Sequence, residues 1–147
     1  MTTVATLTES EVKQLVDDWY RKLDVHAPMV ELLPMLADEG LEMRFPEVTA
    51  YGYAGFEEWY QRVIRLFFDE VHTMKELQIR VTDDRADVKL VVYWETSIWK
   101  PPAARSERIM LDAAQTWIVA RSPQTRKPVI TTYIVDGIDY RDGSARL

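Results

Sequence analysis

The sequence contains two histidines, and each follows a stretch that is predicted to be helical. His26 lies in DVHAP, and His72 lies in FDEVHTMKEL, where a helix is expected to end and a strand to begin. An imidazole titrates near pH ~6.5, so it can take up or release a proton at neutral pH. Three roles stay open for His72: a catalytic base, a polar group lining a pocket, or a polar residue at a strand start. His26 could line the mouth of a cavity or lie in solvent.

The face on which His72 lies distinguishes these roles. His72 alternates with Met74, Glu76 and Gln78, which form the polar face of the predicted strand. Regular alternation would therefore direct His72 away from the core, whereas a β-bulge near the start of the strand would turn it inward. Asp24, which precedes the second predicted helix, is the carboxylate considered as its partner.

The composition excludes several classes of protein. The 147 residues carry a formal net charge of −6 and no cysteine, which excludes a disulfide scaffold, a zinc–thiolate site and a cysteine nucleophile. No cluster of Lys and Arg indicates nucleic-acid binding. No secretory signal is recognised, and no apolar run approaches the ~20 residues of a membrane span, so we expect a cytoplasmic protein. No metal or organic-cofactor motif is present, and no cofactor is expected.

Three helices are predicted in the first half of the chain. The capping box Thr8-Glu9-Ser10-Glu11 begins the first helix, and apolar residues at helical spacing extend it to Leu23. A short second helix is predicted in MVELLPML, where Pro34 implies a kink or a one-turn piece. A short strand is predicted from Leu41 to Pro46, after which the loop TAYGYAG leads into a third helix with a broad aromatic face.

Long strands dominate the second half. Asp87 to Trp99, Glu107 to Ala120 and Val129 to Tyr140 are predicted strands joined by short loops. One face of the last strand is predicted to hold Val129, Thr131, Tyr133 and Val135. Helices first and strands last favour an α+β fold, in which helices pack on one face of an antiparallel sheet. We expect one domain over residues 1–147, with its core at about 8–140.

The length of these strands predicts a hollow fold. Strands of about twelve residues span ~40 Å and coil, so helices at one end would close a cone around a cavity. Gln115 shares an otherwise apolar row with Trp117, beside the strand that carries Trp94. A carboxamide among indoles is typical of a small-molecule pocket. Alternatively, Gln115 bonds a tyrosine such as Tyr133 and stabilises the core.

Several motifs follow one another in a recognisable order: Asp24 before the second helix, LADEGLEMRFPE, GYAGFEEW at the third helix, and EVH at a strand start. This order, over about Thr8 to Tyr140, resembles the nuclear transport factor 2-like superfamily in its SnoaL-like branch. The resemblance implies a cone-shaped α+β fold, with a curved, mixed sheet wrapped around the N-terminal helices and a deep apolar cavity. It also implies a homodimer formed through the outer face of the sheet. Members include isomerases, dehydratases, polyketide cyclases, epoxide hydrolases and non-catalytic binding modules.

Two catalytic patterns of that superfamily can be compared with the chain. Its steroid isomerases place an aspartate before the proline that ends the first strand, and Phe45 occupies that position here. Its scytalone-dehydratase-like members use a histidine that corresponds to His72, together with an aspartate of the first helix. Arg21 stands where that aspartate is expected, beside Tyr20, which matches a tyrosine of the pattern. Asp24 could substitute if its loop bends inward.

These comparisons define a predicted site for a small apolar or aromatic molecule. The predicted catalytic residues are His72 and Asp24, and the predicted ligand-binding residues are Tyr20, His26, Trp59, Trp94, Gln115, Trp117 and Tyr133. One predicted function is acid–base isomerisation, dehydration or cyclisation. The alternative is a non-catalytic carrier or a dimeric interaction module. An apolar strip on the outer sheet face favours the homodimer, and it consists of Val91, Tyr93 and Trp99.

Overall fold

The computed structural model describes residues 6–147 as three α-helices, one 3₁₀ turn and six strands. The helices are α1 (Glu9–Asp24), α2 (Met29–Leu32) and α3 (Gly52–Leu66), and the 3₁₀ turn is Leu33–Met35. The strands are β1 (Glu42–Arg44), β2 (Thr49–Tyr51), β3 (Phe67–Thr82), β4 (Arg85–Ile98), β5 (Glu107–Arg121) and β6 (Pro128–Tyr140). None of the helices in this part of the chain is long and apolar enough to cross a membrane.

The strands form one curved, open sheet in the order β2-β1-β6-β5-β4-β3. Neighbouring strands are antiparallel except for β1 and β6, which pair in parallel, so the sheet is mixed. The four long strands β3 to β6 follow one another through short connections, which antiparallel pairing allows. α1 packs against β3 and β6. The prediction of an α+β fold with a curved sheet around the N-terminal helices is therefore confirmed.

α1 begins at the predicted capping box. The Thr8 hydroxyl accepts a hydrogen bond from the Glu11 amide at 3.1 Å, and the Glu11 carboxylate accepts one from the Thr8 amide at 3.2 Å. Leu7 before the cap and Val12 after it are both buried, as a hydrophobic staple requires. The buried face of the helix consists of Val12, Leu15, Val16, Trp19, Tyr20 and Leu23.

The Glu11 carboxylate makes the stability of this cap dependent on pH. It accepts hydrogen bonds from Arg121 at 3.0 and 3.1 Å, and these bonds hold the pKa of Glu11 below its ordinary value. A carboxyl group with a depressed folded-state pKa stabilises the fold above its unfolded-state pKa, and this contribution is lost as the pH falls through the folded value. Glu11→Gln should therefore unfold at lower urea concentration than the wild type at neutral pH, and the difference should shrink below pH ~4. An equal difference at neutral and acidic pH would contradict this linkage.

The segment TAYGYAG, predicted as a loop, contains a strand and the start of a helix. Thr49–Tyr51 form β2, which pairs with β1, and α3 begins at Gly52. The chain changes direction at Gly52 with a left-handed backbone (φ +67°), which glycine adopts without steric cost. The loop prediction is wrong because β2 has three residues, two of them exposed, and such a strand shows no recognisable alternation.

A β-bulge in β3 decides the face on which His72 lies. The pairing register shifts between Met74 and Glu76, so Lys75 is the additional residue. His72 pairs with Trp94 and lies on the inner face with it, although Glu76 beyond the bulge is exposed. Of the two alternatives for His72, the structure thus has the one with a bulge, because regular alternation does not continue across the additional residue.

A second β-bulge lies between Phe68 and Val71 of the same strand. Asp69 adopts a left-handed conformation there (φ +52°), which is uncommon for a residue with a side chain. The additional residue directs Glu70 inward, where it is buried, while Phe68 and Val71 remain exposed on the outer face. β3 therefore presents two polar side chains to the interior close to its start.

A further β-bulge, in β6, changes which side chains of that strand face the core. Thr131 is the additional residue of this bulge, so Ile130 faces the core in its place. Tyr133 and Val135 keep their predicted inner positions opposite Trp117 and Gln115 of β5. The prediction that Val129, Thr131, Tyr133 and Val135 share one face is therefore wrong at Thr131 and holds for Tyr133 and Val135.

Candidate functional site

A cavity of about 520 Å³ lies between α3 and the inner face of the sheet, where the fold prediction places one. Apolar and aromatic side chains form most of its wall, and a few polar groups project into it, as in many small-molecule sites. The aromatic residues of the wall are Phe45, Trp59, Tyr60, Phe67, Trp94 and Tyr133. The polar residues are Glu47, Arg62, Glu70, His72 and Gln115.

His72 and Asp24 meet at the side of this cavity. Asp24 Oδ1 lies 2.5 Å from His72 Nδ1, and Asp24 Oδ2 accepts a hydrogen bond from the His72 backbone amide at 3.2 Å. Asp24 is the last residue of α1, so the helix itself positions the carboxylate and no loop has to bend inward. The two carboxylate oxygens therefore hold both the strand and the imidazole in place.

The His72 ring packs against two aromatic rings. Its centroid lies 4.7 Å from the Tyr20 centroid and 6.1 Å from the Trp94 centroid. The angle between the planes of the His72 and Trp94 rings is only 19°. The ring borders the cavity and also a smaller polar cleft of about 270 Å³ that contains Asp24. Nδ1 is hydrogen-bonded to Asp24. Among residues 6–147, no side chain or backbone group makes a hydrogen bond with Nε2. Nε2 is therefore the ring nitrogen left without a hydrogen-bond partner in this part of the chain.

Arg21, which stands where the resemblance places the catalytic aspartate, points to solvent at the rim of the smaller cleft. Its side chain is 72% exposed and pairs with Asp18 at 3.3 Å. Asp24 lies about one helical turn further along α1 and reaches His72 instead. The structure thus brings the two predicted catalytic residues together without Arg21.

A second histidine–carboxylate pair, which the sequence analysis did not identify, lies at the same cavity. Only 4% of the Glu70 side chain is exposed, and Glu70 Oε2 makes a short hydrogen bond with His26 Nε2. Glu70 Oε1 accepts a hydrogen bond from Trp94 Nε1 at 3.1 Å. The only signal in the sequence is the acidic pair before Val71 in FDEVH, and the bulge at Asp69 is what selects Glu70 as the inward residue.

Gln115 lines the cavity and also holds its neighbours in place. Its Oε1 atom accepts hydrogen bonds from the Tyr20 hydroxyl at 3.0 Å and from Trp117 Nε1 at 2.9 Å. Gln115 therefore does bond a tyrosine, as one of the two alternatives for this residue holds, and that tyrosine is Tyr20 rather than the Tyr133 given as the example. Burial raises the pKa of the Tyr20 and Tyr133 hydroxyl groups, so both stay protonated at neutral pH. Because Oε1 is occupied, the amide nitrogen of Gln115 is the group that a ligand can meet.

The predicted ligand-binding residues divide into two groups. Those that border the cavity are Trp59, Trp94, Gln115 and Tyr133. Tyr20 borders the smaller cleft, Trp117 is fully buried behind Gln115, and His26 contacts Glu70 without reaching the cavity itself. Each of these three side chains contacts a residue that lines the cavity: Tyr20 and Trp117 bond Gln115, and His26 bonds Glu70. Residues 6–147 contain no group of three or more His, Asp or Glu side chains arranged to hold a metal ion.

Another part of the cavity wall is aromatic. Phe45, at the position of the isomerase aspartate, stacks on Trp59 with 3.7 Å between ring centroids and 5° between planes. Trp59 Nε1 donates a hydrogen bond to Glu47 at 2.8 Å. The Tyr60 hydroxyl donates to the Ala27 carbonyl at 2.5 Å, and burial raises the pKa of Tyr60 to about 12. This wall therefore offers flat apolar surface and no proton acceptor from Phe45 or Tyr60.

Solved structures match this fold over most of the chain. A proposed scytalone dehydratase from Novosphingobium aromaticivorans DSM 12444 superposes with a TM-score of 0.75 at 14% identity, covering 94% of this chain and 87% of the other. The hexachlorocyclohexane dehydrochlorinase LinA-type3 from Novosphingobium barchaimii LL02 gives 0.72 at 15% identity, with 94% and 92% covered. A proposed dehydratase of the nuclear transport factor 2-like family from Streptomyces avermitilis gives 0.69 at 13% identity, with 85% and 92% covered.

These likenesses define the class of the fold. The chain has the nuclear transport factor 2-like fold, as the order of motifs in its sequence predicts. No family model matches the sequence, and no curated protein matches it. The function must therefore be argued from the site itself.

Proposed function

We propose that the protein is an acid–base enzyme that removes a proton from carbon in a small apolar or aromatic molecule, as dehydratases and isomerases do. The observation that carries this proposal is the His72–Asp24 pair at the wall of an apolar cavity, with Nδ1 of the imidazole bound and Nε2 free. The similar solved structures described as dehydratases and as a dehydrochlorinase support the same class of reaction.

In this proposal the imidazole of His72 is the base. Asp24 accepts the hydrogen bond of the Nδ1 proton, which leaves the lone pair on Nε2, on the side of the ring away from Asp24. When Nε2 takes the substrate proton, the Asp24 carboxylate stabilises the imidazolium that forms. A positioned base of this kind accelerates proton transfer by about 10²–10⁴-fold.

The cavity wall supports the proposed substrate class. The stacked Phe45 and Trp59 rings and the Trp94 indole offer flat surfaces for an aromatic or alicyclic molecule. The amide nitrogen of Gln115 offers a hydrogen-bond donor to an oxygen atom of the substrate. We expect a substrate with one oxygen substituent on an otherwise apolar frame.

A non-catalytic carrier is the second candidate, and Phe45 is the observation that favours it. The isomerase aspartate is replaced there by a ring that extends the apolar wall, which is what retention of an apolar ligand requires. The two candidates differ in one respect: a carrier binds the molecule and leaves its C–H bonds intact.

Ring opening of nitrobenzisoxazole distinguishes the two candidates, because the reaction needs only a base. Its nitrophenoxide product is measured by absorbance. We expect saturable turnover by the wild type, inhibited competitively by the analogue in which a methyl group replaces the acidic hydrogen. Quenching of the fluorescence of Trp59 and Trp94, which line the cavity, should report binding of both compounds. Binding of both compounds without ring opening would establish the carrier and contradict the enzyme.

We also infer a homodimer formed through the outer face of the sheet. Phe68, Val71 and Trp99 are 41%, 44% and 49% exposed there, and such apolar area is typical of an interface. Tyr93, one member of the predicted strip, is instead covered by the Arg141 guanidinium, which lies 4.6 Å from its ring centroid. Sedimentation of the wild type and of Trp99→Lys tests this: a dimer that the substitution does not weaken would contradict an interface at Trp99.

A further inference from the structure

We propose that Glu70 is the general acid of the site and that His26 supplies its proton from solvent. This inference rests on the proposed function, in which His72 is the base. An elimination in which a hydroxyl group leaves requires both a base and an acid, because hydroxide is a poor leaving group unless it is protonated as the C–O bond breaks. Glu70 and His72 lie two positions apart on β3 and border the same cavity.

The burial of Glu70 is the first observation that carries this inference. A carboxyl group with 4% of its side chain exposed is costly to bury, so such groups are retained with partners or for chemistry. The chain places Glu70 there by means of a β-bulge and a left-handed backbone at Asp69. Sparsely populated backbone conformations of this kind concentrate at functional sites.

Trp94 links the two carboxylate–histidine pairs. Its indole lies almost parallel to the His72 ring, and its Nε1 donates to Glu70 Oε1 at 3.1 Å. The indole thus sets the position of the base and of the carboxyl group relative to one surface of the cavity. A substrate lying against Trp94 would meet both groups along its length.

His26 gives Glu70 a connection to solvent. The imidazole is 27% exposed, whereas the Glu70 side chain is 4% exposed, and the two meet through Nε2 and Oε2. His26 does not border the cavity, so it cannot touch the substrate and acts through Glu70. His26 is therefore a positioning and proton-relay residue, while Glu70 is the group that faces the substrate.

The proposed elimination needs no co-reactant, because His72, Glu70, His26 and solvent supply and accept all the protons. His72 Nε2 takes the proton from carbon, the C–H electrons form the new C=C bond, and the C–O bond breaks. The leaving oxygen takes the proton of the Glu70 carboxyl group and departs as water. His26 then returns a proton to Glu70 and recovers one from solvent, while His72 releases the proton that it took. The net reaction is loss of one water molecule from the substrate.

Two probes that differ in their need for an acid test this assignment. Nitrobenzisoxazole expels a nitrophenoxide, which leaves without a proton, whereas the aldol adduct of acetone and benzaldehyde must lose water to give the absorbing enone. Glu70→Gln keeps an acceptor for Trp94 and a polar contact for His26 but cannot supply the proton. We expect it to lower dehydration of the adduct at least about 10²-fold more than it lowers ring opening.

Glu76→Gln is the matched control, since Glu76 lies on the exposed outer face of the same strand and should retain both activities. If Glu70→Gln lowers both reactions equally, Glu70 is structural and the inference is overturned. If the wild type opens nitrobenzisoxazole but does not dehydrate the adduct, the site has a base and no working acid, and the inference is again overturned. If neither probe reacts, the proposed function itself fails.

His26→Asn tests the relay, because asparagine tolerates the left-handed backbone at this position (φ +52°). We expect slower dehydration of the adduct that is restored by added imidazole, which can enter the space left by the missing ring. A structural role would give a loss that imidazole does not restore. Ring opening of nitrobenzisoxazole should show no such rescue, and rescue of both reactions alike would contradict the relay.

Discussion

Replacing His72 with glutamine is expected to lower kcat for ring opening of nitrobenzisoxazole by about 10²–10⁴-fold, because the variant lacks the imidazole that takes the substrate proton in the proposed reaction. KM should change far less, since His72 forms only one part of a largely aromatic wall. Steady-state kinetics of both proteins, together with far-ultraviolet circular dichroism of the variant, measure this. An unchanged kcat would remove His72 from the reaction.

Asp24→Asn should lower kcat as well, although it preserves the size of the side chain. An asparagine amide can donate to Nδ1, which places the imidazole proton on Nε2 and removes the base. Asp18→Asn is the matched control, because Asp18 lies on the same helix and contacts Gln14 and Arg21 at the surface. Equal activity of the Asp24 and Asp18 variants would contradict the role of Asp24.

Trp117→Ala is expected to lower the free energy of unfolding by about 3–5 kcal/mol, the range for removing a large aromatic side chain from a core. Trp117 is fully buried and packs against Trp19, Tyr20 and Tyr133, with ring centroids 5.1 to 6.4 Å apart. Its removal also deprives the Gln115 carboxamide of one of its two donors. Urea unfolding followed by circular dichroism measures the loss.

Tyr51→Ala provides the comparison for this prediction, since the Tyr51 side chain is 67% exposed and its truncation should cost less than about 1 kcal/mol. A Trp117→Ala variant no less stable than Tyr51→Ala would show that the aromatic cluster behind Gln115 does not hold the sheet and α1 together. The folded Trp117→Ala protein should also bind larger aromatic molecules, because the deleted indole lies directly behind the wall of the cavity.

Local signals in the sequence were sufficient for much of the fold. The capping box at Thr8 and the spacing of apolar residues place α1 within one residue of its observed end at Asp24. The long alternating stretches place β4 and β5 within two residues of their observed ends. These features could be predicted because they depend on residues close together in the chain.

The interior of the site could be predicted only in part, because two β-bulges decide which side chains of β3 face it. Without the additional residue Lys75, His72 would share its face with Glu76 and point outward. Without the bulge at Asp69, Glu70 would not be the inward acidic residue. A bulge is fixed by pairing with a strand many residues away, and the sequence of β3 alone carries no comparable signal.

The tautomer of His72 decides whether the imidazole can act as the base, because that role requires a proton on Nδ1 and a free lone pair on Nε2. Long-range ¹H–¹⁵N correlation spectra of the wild type, at a pH above the titration of its histidines and assigned with His72→Gln and His26→Asn, determine it. We predict that neutral His72 carries its proton on Nδ1, and that Asp24→Asn moves the proton to Nε2. A wild-type His72 protonated on Nε2 would have no base to offer the cavity and would contradict the proposed mechanism.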